Sequence, residues 1–114
     1  MLKGDRAMMN AKYYHVGELM VVEVTGRIEP DQNKPFRDIC ANNLADKKVI
    51  FCLNNLAFTA SANLATFFES INLIPQAKVV GLNADFHRLL ELKGLTHLKH
   101  FSTLSEAIKN FEML

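Results

Sequence analysis

The sequence predicts an α/β fold: one domain with a mixed, mostly parallel sheet of about five strands and four helices, in the order β-β-α-β-α-β-α-β-α. Three observations carry this. Short β-branched or apolar runs recur at Leu19–Thr25, Val49–Leu53 and Ala77–Leu82. Stretches with apolar residues three and four positions apart separate them, the signature of one buried helical face. Capping and turn residues stand at the changes of period. Helices alternating with single strands imply parallel neighbours joined by right-handed crossovers, and one hairpin near the start adds an antiparallel edge.

Residues 1–10 hold little apolar surface to anchor them and are expected to form a flexible leader, with the folded domain over 11–114. Tyr13–Val16 reads as the first strand and Gly17-Glu18 as a hairpin turn. Leu19–Thr25 is the clearest strand of the first half and ends at Gly26. Arg27 to Lys34 is polar, contains Pro30 and reads as a loop. Pro35 suits a helix N-terminus, and Phe36, Ile39, Cys40 and Leu44 line one face of the helix after it.

Val49–Leu53 is apolar throughout, as in a strand buried on both faces, and Asn54-Asn55 turns the chain. From about Ser61 to Leu73, Leu64, Phe67, Phe68 and Ile71 mark a second helix that Pro75 stops. Asn83 caps a third, with Phe86, Leu89, Leu90 and Lys93 on one face and Gly94 as its C′ residue. His97–Phe101 reads as a short edge strand. Thr103-x-x-Glu106 matches a capping box ahead of a last helix carrying Leu104, Ala107, Ile108 and Phe111.

At 114 residues the chain can bury a core without metal or disulfide staples. A net charge of +1 and the absence of a Lys/Arg run give no field to recruit nucleic acid or acidic membrane. The first nine residues lack the apolar core of a secretory signal, and no run approaches the ~18 apolar residues of a membrane span, so the expected location is cytoplasmic. Cys40 and Cys52 form no CxxC and read as reduced core residues. The four histidines show no ligand spacing for a metal, no G-x-G-x-x-G or phosphate-loop lysine appears, and Ser61 lacks a nucleophile-elbow context. No cofactor, metal or enzymatic constellation is expected.

The junction from Phe58 to Leu64 is where a site is expected, because a strand there turns into a helix whose first N–H groups and positive dipole end point outward. Thr59, Ser61 and Asn63 supply its polar groups. Ser61 and Asn63 also serve as plain helix caps, and that is the favoured reading of Ser61.

With this order established, the residues resemble the STAS family, the sulfate-transporter and anti-sigma-factor-antagonist domain, over about residues 11–112. Val24-Thr25-Gly26-Arg27-Ile28-Glu29 resembles the family's S-G-x-I/L-D strand end, and Phe51 to Leu64 its L-D-L segment running into D-S-S/T-G-L. Gly81 to Leu95, ending in Lys93-Gly94-Leu95, is the most specific match, and Phe101 to Ala107 resembles its closing segment. The resemblance implies a STAS-like fold and a non-enzymatic regulator of partner switching. In phosphorylated members, the second hydroxyl of D-S-S/T-G accepts phosphate from a partner kinase, typically an anti-sigma factor of the GHKL ATPase type.

Here Ala60 replaces the aspartate, Ser61 keeps the first serine, Ala62 occupies the acceptor position and Asn63 replaces the glycine. Cys52 stands where another aspartate belongs. The resemblance therefore implies a partner surface of Glu29, Thr59, Ser61, Ala62 and Asn63, with Ser61 as the sole candidate for a displaced phosphoacceptor. It equally admits an accessory subunit of a transporter or lipid-transport complex, or a domain holding a small ligand or anion at the helix start.

Overall fold

The computed structural model describes residues 10–57, 61–95 and 98–112, apart from the side chain of Ser61. The strands are β1 (Asn10–Val16), β2 (Leu19–Thr25), β3 (Val49–Cys52), β4 (Ala77–Val80) and β5 (Lys99–Phe101). The helices are α1 (Asn33–Asn42), α2 (Ser61–Ile71), α3 (Ala84–Leu92) and α4 (Leu104–Glu112). The five strands lie in sequence order, β1 antiparallel to β2 and every later pair parallel. Both the expected α/β class and the expected element order are present.

Crossovers of one hand that step the same way across a sheet deliver their helices to the same face. Accordingly α1, α2 and α3 share one face, where Phe36, Cys40, Leu64, Phe67, Phe68, Phe86 and Leu90 pack on Val22, Val24, Val49, Phe51 and Val79. The other face is left to α4, whose Ala107 and Phe111 cover Leu19, Ile50 and Val80. The alternation of β3 follows: Val49 and Phe51 face one layer, Ile50 the other, and all three are fully buried.

Phenylalanine rings tie the first layer together. Phe36 of α1 stacks on Phe67 of α2 at 4.7 Å between centroids and meets Phe51 of β3 edge-on at 6.0 Å. Phe67 contacts Phe68 at 5.7 Å, and Phe68 reaches Phe86 of α3 at 5.9 Å. Edge-to-face and offset stacks of this kind add about 0.5–1.5 kcal/mol per pair beyond the area they bury. The Phe67-Phe68 pair is core, as its place on the apolar stripe requires.

The helix ends follow the local signals. The Phe86 N–H donates to Asn83 Oδ1 at 2.9 Å. The Glu106 N–H donates to Thr103 Oγ1 at 3.2 Å while the Thr103 N–H donates to Glu106 Oε1 at 3.3 Å, completing the expected box. Gly94 takes φ +70° just past α3, as a C′ glycine does.

Three details differ from the sequence reading. Asn10, assigned to the leader, begins β1, because Thr25 at the end of β2 gives it a partner. The stretch read as loop over 27–34 contains a 3₁₀ turn at Pro30–Gln32 that runs directly into α1 at Asn33. Lys93 lies beyond α3 and is exposed rather than on its apolar face. His97 lies outside the described residues.

Substituting Phe67 removes both its stack on Phe36 and its contact with Phe68 from a fully buried position. Phe67→Ala is expected to lower unfolding free energy by about 3–5 kcal/mol, measured by urea denaturation.

Candidate functional site

The parallel strands β2, β3 and β4 end on the same side of the sheet, and their loops form one surface. Two backbone contacts fix it. The Ala57 N–H donates to the Gly26 carbonyl at 2.7 Å, and Gly26 and Leu56 form a parallel bridge beyond the strands. The loop after β2 is thereby held beside the segment that leads into α2. The Leu53 N–H donates to the Val80 carbonyl at 2.8 Å, joining the third loop to the second.

Glu29 stands on the first loop. Its N–H donates to Gln32 Oε1 at 3.0 Å, the Gln32 N–H donates to the Glu29 carbonyl at 3.0 Å, and Arg27 Nε lies 3.2 Å from Glu29 Oε2. Ile28 beside it is buried, anchoring the loop to the core. Glu29 is thus a half-buried carboxylate held in place and paired with an exposed guanidinium. A pair this exposed contributes little to stability, of order 0–1 kcal/mol.

On the second loop, α2 begins at Ser61. Ala62 is exposed and Asn63 half-buried, while Leu64 and Ala65 turn into the core. The Ala62 carbonyl accepts the Thr66 hydroxyl at 3.0 Å. Of the sequence-predicted site, Glu29, Ala62 and Asn63 are therefore placed on adjoining loops; Thr59 and the side chain of Ser61 lie outside the described residues.

Sequence reasoning passed over Gly81 and Asn54 as site-shaping residues. Gly81 has φ +84°, and a Cβ built there would lie 2.5 Å from Asn54 Cγ. The glycine lets the loop after β4 pass close against the loop after β3. The signal was present in the strand–glycine junction at Val80-Gly81.

Beside these loops, a hollow of about 240 Å³ on the α4 face is bordered by Glu23, Thr25, Cys52, Asn54 and Asn55. Burial, and secondarily Glu23, pushes the Cys52 thiol up to about 11. Burial alone pushes Cys40 up to about 12. Both are protonated at neutral pH and poor nucleophiles. Among the described residues no three His, Cys, Asp or Glu side chains converge on a metal position; His87 and His100 meet edge-to-face at 4.2 Å. No helix of the described residues is long and apolar enough to cross a membrane.

Two measurements check this geometry. Gly81→Ala forces a side chain into the left-handed region and against Asn54, and is expected to destabilise by about 1–2 kcal/mol in urea melts. The raised cysteine pKa values stabilise the fold below the unfolded thiol pKa near 8.5, and that contribution is lost as pH rises through about 11 and about 12. Thiol alkylation of the native protein should therefore stay slow at pH 8 and accelerate only above about pH 10.

No family model matches the chain, and no curated protein matches it. Solved structures do. An anti-sigma factor antagonist from Mycobacterium paratuberculosis superposes with a TM-score of 0.70 at 17% identity, covering 91% of this chain and 94% of that one. The anti-sigma factor antagonist SpoIIAA in its unphosphorylated form superposes at 0.68 with 12% identity, over 92% of this chain and 98% of that one. The Bacillus cell fate determinant SpoIIAA in its phosphorylated form superposes at 0.64 with 12% identity, over 90% and 99%. This chain therefore has the STAS fold of the anti-sigma factor antagonists.

Proposed function

We propose that the protein is a non-enzymatic interaction module that binds a protein partner through the loop carrying Glu29 and the first turn of α2. The partner class is an anti-sigma factor or related GHKL-type kinase, and binding it would release whatever that partner holds. The observation carrying this reading is the exposed Ala62 in the first turn of α2, together with the neighbouring loop whose Glu29 carboxylate is paired with Arg27. The fold likeness to anti-sigma factor antagonists supports it.

Ala62 has no hydroxyl, so phosphate cannot be placed at that position. Phosphate would add about −1.5 to −2 charges and three acceptor oxygens, enough to disrupt a fitted apolar contact. A methyl group there keeps the surface in its binding form whatever the kinase does. The protein then acts as a constitutive competitor for its partner in the cytoplasm, with Thr59, Ser61 and Asn63 as the further contact residues of this reading.

Affinity capture from the native cells should recover a GHKL-type kinase or anti-sigma factor, and calorimetry with that protein gives the reference affinity. Ala62→Glu, on an exposed helical position, is expected to weaken binding at least about tenfold while leaving the melting temperature within a few degrees. An unchanged affinity would move the interface elsewhere. Incubating the pair with ATP should leave the chain unphosphorylated; a phosphopeptide at Ser61 would instead make that serine a displaced acceptor.

A further inference from the structure

At the opposite end of the sheet, where the parallel strands begin, lies a group that partner docking does not use. Lys78 is the second residue of β4 and only 4% exposed. Among the described residues Lys78 and Ser70 are the buried polar side chains. The Ser70 hydroxyl donates to the Thr66 carbonyl at 3.0 Å. Lys78 forms no ion pair or hydrogen bond with protein groups among the described residues; its Nζ lies 3.8 Å from the centroid of the Phe111 ring. That ring offers one electron-rich face to an ammonium that has three N–H donors to satisfy.

Lys99 adds to the imbalance. It is the direct cross-strand partner of Lys78 in the parallel pairing of β4 and β5, so both project toward the α4 face. Like charges opposite one another on neighbouring strands are destabilising. The Lys78 ammonium is held below its ordinary pKa first by burial and then by Lys99. Both lysines line a cavity of about 420 Å³, together with the amides of Asn72 and Gln76 and the apolar side chains of Leu98 and Phe111. Among the described residues no carboxylate lines it. A cavity of about 300–1,000 Å³ is the usual size for a small molecule.

We propose that this cavity binds a small organic oxyanion, a carboxylate or phosphomonoester with an apolar portion. The oxyanion sits between Lys78 and Lys99, and the apolar portion lies against Leu98 and Phe111. One ligand serves both lysines: it gives acceptors to the Lys78 ammonium, which borders the cavity, and places negative charge between two like charges. The two ammonium groups in the wall select for an anionic head and disfavour cations. The site does not rest on the docking surface at the strand C-termini.

The test is titration of the full chain at constant ionic strength with inorganic phosphate, phenyl phosphate and benzoate, followed by backbone amide NMR and thermal shift. Saturable shifts centred on residues 78, 99 and 111 are expected, with phenyl phosphate or benzoate binding below about 1 mM and more tightly than inorganic phosphate. Preference between those two assigns the head group. Lys78→Met, similar in length and apolar, should fold and bind at least about tenfold more weakly; Lys99→Gln should bind several-fold more weakly. Lys93→Gln, at an exposed position just past α3, should bind as the parent does. Lack of saturation by all three probes up to about 20 mM would overturn the proposal. So would binding that Lys99→Gln and a folded Lys78→Met leave unchanged. If Lys78→Met fails to fold, Lys99→Gln alone decides.

Discussion

Five phenylalanine rings, from Phe51 through Phe36, Phe67 and Phe68 to Phe86, hold one helical layer against the sheet. The series touches a central strand and every helix of that layer, so the relative positions of α1, α2 and α3 are set by ring contacts rather than by loops. The strand ends fix where the loops emerge, and α2 fixes how the second loop is presented. Moving any ring would tilt a helix and, through it, the turn that carries Ala62. The surface at the strand C-termini is thus only as well defined as the aromatic layer beneath it.

Two devices convert that rigid layer into a single surface. The backbone bond from Ala57 to Gly26 joins the first and second loops, and Gly81 admits Asn54 into the space a Cβ would occupy. Neither contributes a reactive group. The same economy applies to charge: Glu29 is oriented by Gln32 and Arg27, and both thiols are kept neutral by burial. What the first turn of α2 presents to solvent is small, the exposed Ala62 above all.

Much of this was legible in the sequence, for identifiable reasons. The uninterrupted apolar run of Val49–Leu53 and the helical spacing of Phe36, Ile39 and Cys40 report burial directly, and burial decides the fold. The caps at Asn83 and Thr103 are local, so their signals survive without tertiary context. What escaped was non-local. Asn10 belongs to β1 only because Thr25 lies across from it, and nothing in the first ten residues announces that pairing. The approach of Asn54 to Gly81 and the facing of Lys78 and Lys99 depend on strand register, which periodicity leaves open. Ile39 shows the converse: it keeps the helical spacing yet remains 48% exposed, because α1 sits near the hairpin side where little covers it.

The hairpin itself sets the order in which the molecule comes apart. All seven residues of β1 are exposed, yet the strand it covers is core: Val21, Val22 and Val24 of β2 are buried. β1 is attached through its ladder to β2 and none of its residues is buried, so local opening of β1 is expected to cost less than global unfolding. Each such opening bares a hydrophobic strand edge while the aromatic layer stays intact. β1 therefore serves as a detachable guard rail for one of the sheet's two edges, the other being the short strand β5, and its amides are an exit through which hydrogen exchange and strand-to-strand aggregation reach β2.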